Sequence, residues 1–187
     1  MVEANDFRNE LEQAARELGA FLLESAQVPV VFAESCTGGL VAASLTCVPG
    51  ISQFLCGSAV TYRAATKEQW LGISISMLEQ FSAESMIVSE SMALNVLERT
   101  PEAHWSASIT GHLGPNAPEE RDGIVFIAVA RRIDAGCRLV ISRQISLSAS
   151  DRVERQYEAA RIVLNATREA IAKTSLPLET SAEPVVG

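Results

Sequence analysis

The fold is decided by residues 28–45, which read Val28-Pro29-Val30-Val31-Phe32-Ala33-Glu34-Ser35-Cys36-Thr37-Gly38-Gly39-Leu40-Val41-Ala42-Ala43-Ser44-Leu45. The apolar run 28–33 is typical of a buried strand, and 40–45 has the composition of a helix. The small polar turn between them, 34–39, places a hydroxyl and a thiol at a helix start. Unpaired N–H groups there can hold an anion or an oxyanion, with Thr37 and Gly38 as candidate ligand-binding residues. A plain strand-to-helix connection, with a Ser or Thr cap and glycines for tight geometry, fits the turn equally well.

The composition and net charge of the chain argue against several classes of protein. The chain has 187 residues, 48% of them hydrophobic, and a net charge of -8. An acidic chain has no long-range field to attract nucleic acid, and no apolar run approaches the roughly 20 residues of a membrane span. The cysteines show no C-x-x-C pair, which predicts reduced thiols in a cytoplasmic protein. With only two histidines, a multi-histidine metal site is excluded, and no cofactor is expected.

Strand and helix patterns alternate along most of the chain. The predicted strands span 28–33, 57–62, 105–110, 124–131 and 138–147. The predicted helices span 6–26, 40–48, 66–71, 76–81, 85–99 and 151–173. Early strands separated by helices predict a parallel sheet covered on both faces, and the hairpin signal Asp134-Ala135-Gly136 adds an antiparallel part. We therefore predict a three-layer α/β/α sandwich with a mixed, mostly parallel sheet, in one domain over 1–175 followed by a flexible tail over 176–187.

The first candidate for chemistry is a serine–lysine pair. A serine hydroxyl is a poor nucleophile until a base takes its proton, and lysine is the obvious base in a chain with so few histidines. Strand ends on one edge of an α/β sheet converge, so Lys67 can face Ser35. The lysine pKa must then fall from about 10.4 to roughly 7–8. The alternatives are a surface lysine opening the 66–71 helix, and a Cys36–His112 thiol pair that lacks a clear orienting group.

Four further segments hold candidate site residues, each with a structural alternative. Ser52, after Pro49-Gly50-Ile51, is either a second catalytic or binding hydroxyl or the cap of a local turn. Tyr62 either presents its hydroxyl to a ligand or ends a strand in the core. Thr110 and Gly111, at a strand exit, either line the same pocket as 34–39 or form a plain turn. Arg152 opens the last helix, where its planar fork can bind a phosphate or carboxylate, although many such arginines are solvated.

These segments together resemble the C-terminal domain of the competence/damage-inducible CinA family, whose stand-alone members include nicotinamide mononucleotide deamidases. The resemblance runs from about Val30 to Arg155. The matching stretches are Ala33-Glu34-Ser35-Cys36-Thr37-Gly38-Gly39, Pro49-Gly50-Ile51-Ser52-Gln53-Phe54, Gly57-Ser58-Ala59-Val60-Thr61-Tyr62 with Lys67 and Leu71-Gly72, Thr110-Gly111 with Gly114-Pro115, and Asp151-Arg152.

The resemblance implies an amidohydrolase of pyridine nucleotide salvage, which converts nicotinamide mononucleotide to nicotinic acid mononucleotide and ammonia. It also implies a five-stranded mixed sheet, no metal and a homodimer. It groups Ser35, Ser52, Tyr62 and Lys67 as catalytic, with Thr110, Gly111 and Arg152 among the substrate-binding residues.

The chain departs from the family pattern after Pro115. Residues 116–123, Asn-Ala-Pro-Glu-Glu-Arg-Asp-Gly, lack the further glycines and the Lys-Pro pair that are typical of the family, and hold three acids against one arginine. If this loop lies near the nucleotide, its charge opposes a phosphate. The alternative function is therefore a catalytically impaired or retuned nucleotide-binding module.

Overall fold

A five-stranded mixed sheet, with strand order β2-β1-β3-β4-β5, forms the centre of the computed structural model, which describes residues 6–175. In chain order the elements are α1 (Phe7–Phe21) continuing as a π-helical segment (Leu22–Ala26), β1 (Val30–Glu34), α2 (Leu40–Thr46), a 3-10 turn (Ile51–Gln53), β2 (Leu55–Val60), α3 (Ala64–Leu71), α4 (Ile75–Phe81), α5 (Met86–Glu98), β3 (Trp105–Gly111), a 3-10 turn (Glu119–Arg121), β4 (Ile124–Ile133), β5 (Gly136–Ser146) and α6 (Arg152–Ser175). The predicted tail over 176–187 lies outside the described residues.

The predicted α/β/α sandwich is confirmed, with one refinement of the sheet. β1 pairs in parallel with β2 and β3, whereas β4 is antiparallel to both β3 and β5. Four strands therefore share one direction and β4 opposes them, so that two of the four strand pairs are parallel.

Two apolar cores lie on the two faces of the sheet. Val30 and Phe32 of β1 pack in the core formed with α1, α2 and α6. Val31 and Ala33 pack in the other core, formed with α3, α4 and α5. All five residues of β1 are buried, as expected for a central strand whose side chains alternate between two covered faces.

Local side-chain hydrogen bonds define the starts of several helices. Asp6 caps α1 by accepting a hydrogen bond from Asn9 N, and Ser85 caps α5 by accepting one from Val88 N. α3 begins at Ala64, two residues before the predicted start at Thr66, because the Thr66 hydroxyl accepts a hydrogen bond from the Arg63 N–H and closes the first turn.

None of the helices within residues 6–175 combines the length and the apolarity needed to cross a membrane.

This topology sets the position of the site. Because β1, β2 and β3 are parallel, their carboxyl ends meet at one edge of the sheet. The residues that leave these strands, including Ser35, Thr61 and Gly111, therefore converge at that edge.

Candidate active site

Ser35 and Lys67 meet at the carboxyl edge of the sheet. The Lys67 amine lies 2.8 Å from the Ser35 hydroxyl oxygen and donates a second hydrogen bond, of 2.9 Å, to the Thr61 carbonyl. Lys67 is 1% exposed. Burial lowers the pKa of Lys67 below its ordinary value of 10.5, and the negative charge of Glu84 opposes this shift. The structure thus pairs a serine hydroxyl with a buried amine whose pKa is shifted downward, the direction that a general base requires.

Glu34, the neighbour of Ser35, points to the opposite face of the sheet. One of its carboxylate oxygens accepts hydrogen bonds from the Thr37 hydroxyl (2.8 Å) and from the N–H groups of Gly39 and Val41 (both 3.0 Å). The other oxygen accepts bonds of 3.1 Å from Ala42 N and 2.9 Å from the Ser58 hydroxyl.

The Glu34 network favours the interpretation of this turn as a strand-to-helix connection. The Glu34 carboxylate accepts hydrogen bonds from Gly39 N, Val41 N and Ala42 N, so these three N–H groups are not available to an external anion. The Thr37 hydroxyl is likewise committed to Glu34. Gly38 is exposed and has a φ of +64°, a backbone conformation that favours glycine in this turn.

A cavity of about 200 Å³ lies beside the Ser35 hydroxyl. Its lining residues are Ser35, Cys36, Tyr62, Glu84, Gly111, His112, Leu113, Gly114, Pro115, Asn116, Ala117 and Arg152. Burial raises the pKa of the Cys36 thiol to about 12, so the thiol stays protonated at neutral pH. This argues against Cys36 with His112 as the nucleophile and base, although both residues reach the cavity.

Tyr62 and Arg152 both line the cavity and are hydrogen-bonded to each other. Arg152 donates a hydrogen bond of 3.1 Å to the Tyr62 hydroxyl and another to the Gly114 carbonyl. The Tyr62 side chain is 57% exposed, so it does not end the strand inside the core. As the acceptor of the arginine bond, the tyrosine keeps its own O–H available to donate to a ligand.

Thr110 and Gly111 shape the site differently. The Thr110 hydroxyl is buried and donates a 3.0 Å hydrogen bond to the Ala83 carbonyl, so it anchors the α4–α5 connection. Gly111 lines the cavity with a φ of +151°, and an added Cβ would lie 2.5 Å from the Ile124 carbonyl oxygen. Glycine is therefore required at this position by both conformation and space.

The structure separates Ser52 from the Ser35–Lys67 pair. Ser52 is exposed and lies in the 3-10 turn just before β2. The start of β2 at Leu55 is aligned with Val30, at the start of β1, whereas Ser35 follows the end of β1. Ser52 and Ser35 thus lie at opposite edges of the sheet, which does not support the predicted role of Ser52 beside Lys67.

The acids of the loop 116–123 do not line the cavity. Arg155 donates two hydrogen bonds of 2.8 Å to the Asp122 carboxylate, and this contact lowers the pKa of Asp122. Glu119 and Glu120 are exposed and outside the cavity lining. The loop contributes uncharged residues, Asn116 and Ala117, to the cavity, so its acids oppose a bound phosphate less than the sequence suggested.

Two acidic residues at this edge were missed by sequence reasoning. Glu34 was passed over because the glycine-rich turn after it was interpreted as an external binding site. Glu84 lies between two helices, and no motif surrounds it. Within the described residues, no group of three or more His, Cys, Asp or Glu side chains is arranged to hold a metal ion.

Comparisons with known proteins agree with this architecture. The family model for the CinA C-terminal domain matches residues 12–171. A CinA-like protein of Prochlorococcus marinus subsp. pastoris is 34% identical over 148 residues, which are 78% of this chain and 33% of that protein. The chain thus spans about a third of the length of this curated relative.

Solved structures show the same fold. The competence/damage inducible protein CihA from Agrobacterium tumefaciens superposes with a TM-score of 0.78 at 28% identity, covering 86% of this chain and 95% of that one. A competence-damaged protein (CinA) superfamily protein from Escherichia coli superposes with a TM-score of 0.75 at 28% identity, covering 91% and 94%. The chain belongs to the CinA C-terminal domain family.

Proposed function

We propose that this protein is an amidohydrolase that converts nicotinamide mononucleotide to nicotinic acid mononucleotide and ammonia. The observation that carries the proposal is the 2.8 Å contact between the buried Lys67 amine and the Ser35 hydroxyl, beside a cavity. An amine that is both desolvated and within reach of a serine proton has the two properties of a general base. The family resemblance supplies the substrate, and the geometry supports the reaction type.

The reaction proceeds in two halves. Neutral Lys67 takes the proton of Ser35 as the serine oxygen attacks the carboxamide carbon, and the lysine then gives that proton to the departing ammonia. The resulting acyl-serine ester is cleaved by water, whose proton passes to Lys67 and then to the Ser35 oxygen. The Thr61 carbonyl keeps the amine in line through its 2.9 Å hydrogen bond.

Tyr62 and Arg152 bind the substrate in this scheme. Arg152 already donates to the Tyr62 oxygen, which polarises the tyrosine O–H toward a ligand. Arg152 also lines the cavity, and its remaining guanidinium N–H groups can hold the phosphate of the nucleotide.

A direct assay tests the proposal. Purified protein is incubated with nicotinamide mononucleotide, and ammonia and nicotinic acid mononucleotide are quantified together. The Lys67→Met variant should lose about 10²–10⁴-fold in kcat, because loss of a general base typically costs that much. Lys173→Met is the matched control, since Lys173 is exposed and pairs with Glu169 on the surface of α6. Absence of both products with folded wild-type protein would refute the proposal.

A nucleotide-binding module without turnover is the second candidate, favoured by the absence from residues 116–123 of the further glycines and the Lys-Pro pair that are typical of the family. Isothermal titration calorimetry separates the two candidates. A binding module takes up nicotinamide mononucleotide and returns it unchanged, whereas an enzyme yields both products.

A further inference from the structure

Glu84 is an acidic side chain of the cavity for which the reaction scheme has no use. It lies between α4 and α5, lines the cavity with Ser35 and is half-buried. Its carboxylate accepts one hydrogen bond, of 3.1 Å, from the Ser82 hydroxyl. It makes no salt bridge with any basic side chain of residues 6–175. A carboxylate that gives up part of its hydration without a close cationic partner is costly, which makes a positively charged ligand favourable.

The backbone around Glu84 is held in place. The Thr110 hydroxyl donates to the Ala83 carbonyl at 3.0 Å, which ties this connection to the end of β3. The Ser85 hydroxyl donates to the Ser82 carbonyl at 3.0 Å and also caps α5. The Glu84 side chain therefore extends from a backbone segment that hydrogen bonds hold in place.

Charge in the cavity is divided between the two faces of the sheet. Glu84 precedes α5 on the face that also carries Lys67, and its charge acts on the pKa of that lysine. Arg152 begins α6 on the opposite face. Ser35 follows the central strand between these two faces. Because Ser35 contacts Lys67 and the charge of Glu84 acts on that lysine, a ligand bound at Ser35 can extend one end toward Glu84 and the other toward Arg152.

We propose that Glu84 makes the site selective for substrates whose carboxamide is carried on a cationic heteroaromatic ring. This inference rests on the proposed function and deepens it. In nicotinamide mononucleotide the ring is a pyridinium and the phosphate is anionic, so its charges match the order of Glu84 and Arg152. Reduced nicotinamide mononucleotide keeps the carboxamide, ribose and phosphate, but its dihydropyridine ring is neutral.

Binding to a non-hydrolysing variant isolates this effect from catalysis. Ser35→Ala protein is titrated by calorimetry with the oxidised and the reduced mononucleotide, with and without Glu84→Gln. Glu84→Gln should weaken binding of the oxidised form about fivefold, the upper end for an ion pair that keeps contact with solvent. Binding of the reduced form should change less than about twofold, because no ring charge is lost from the pair. Glu119→Gln, which removes an exposed acid outside the cavity lining, is the matched control and should alter neither affinity.

Each outcome decides the proposal. Equal weakening of both nucleotides by Glu84→Gln, or no weakening, overturns it while leaving the amidase intact if the wild-type protein releases ammonia. If Ser35→Ala protein binds neither nucleotide and the wild type releases no ammonia, the amidase function and this inference fall together. Thermal unfolding monitors the fold, and Glu84→Ala replaces Glu84→Gln if the latter unfolds.

Discussion

Glu34 and Ser35 are adjacent in sequence, yet they belong to two regions with opposite character. On one face, Glu34 is 1% exposed and its two oxygens accept five hydrogen bonds from the chain. On the other face, Ser35 meets the Lys67 amine and borders a cavity. The alternation of side chains at the end of β1 places these groups on opposite faces.

The two regions therefore have different roles: the hydrogen bonds of Glu34 stabilise the fold, whereas Ser35 is positioned to react. A buried charge whose hydrogen-bonding capacity is filled by its own chain has nothing left to offer a ligand. A hydroxyl held by one desolvated amine, next to open space, can exchange its partner for a substrate. We therefore expect substitutions on the Ser35 side to change activity and those on the Glu34 side to change stability.

The largest expected effect is on the Ser35 side. Ser35→Ala removes the proposed nucleophile and should lower kcat by on the order of 10⁴-fold or more, as for other hydrolases that act through a serine. Ser52→Ala should keep kcat and KM within about twofold, because Ser52 lies at the opposite edge of the sheet. Initial rates of ammonia release measure both variants. Normal activity in Ser35→Ala together with a large loss in Ser52→Ala would show that the reaction takes place at the edge of the sheet where Ser52 lies.

Glu34→Gln tests the opposite face. The amide loses the negative charge and replaces one accepting oxygen with a donor that faces other donors, so the free energy of unfolding should fall by about 3–5 kcal/mol. Urea unfolding measures this change. Glu68→Gln, an exposed acid on α3, should stay within about 0.5 kcal/mol of the wild type. A Glu34→Gln protein of normal stability would contradict the structural role of the Glu34 network.

Arg152 should affect ligand binding by an intermediate amount. In the Ser35→Ala background, Arg152→Ala should weaken binding of nicotinamide mononucleotide by about 1.5–3 kcal/mol and Arg152→Lys by less, since lysine keeps the charge but loses the fork. Nicotinamide riboside, which lacks the phosphate, should bind with little change. Equal losses for both ligands in calorimetry would mean that Arg152 acts only by holding Tyr62 and Gly114 in place.

The smallest expected effect is a pH dependence of stability caused by Lys67. Its pKa is lowered in the folded protein and returns to about 10.5 on unfolding, so the unfolded chain binds more protons between these two values. Stability should therefore rise with pH across this window. Urea unfolding at a series of pH values should show a smaller rise for Lys67→Met, whereas Lys173→Met should retain the wild-type slope. Identical slopes for Lys67→Met and the wild type would exclude a lowered lysine pKa.

Much of the fold follows from local signals in the sequence. The strand 28–33, the caps Asp6 and Ser85 and the turn at Asp134-Ala135 depend on neighbouring residues, and all were predicted close to their observed places. The convergence of Ser35 and Lys67 was also predictable, because parallel strands bring their carboxyl ends to one edge.

What sequence reasoning missed depends on contacts between distant segments. Whether Ser52 reaches Lys67 is decided by the register of β2 against β1, which no local pattern specifies. From the sequence, the N–H groups at the start of α2 look available to an external anion. The structure shows that the Glu34 side chain turns toward them and accepts their hydrogen bonds. Glu84 lines the cavity from a connection that Thr110 of β3 anchors at the preceding residue, a contact between distant segments.

The sequence contains only two lysines, and their contrasting environments make the protein convenient for selective labelling. Lys67 is shielded at the sheet edge, whereas Lys173 has an exposed side chain in the last turn of α6. Arg152 and Lys173 are 21 residues apart on this helix, or about 30 Å at 1.5 Å per residue. A fluorophore or surface linker attached to the folded protein through a lysine should therefore be carried far from the cavity. Attachment of a second group to a lysine side chain would signal that the shielded edge has opened.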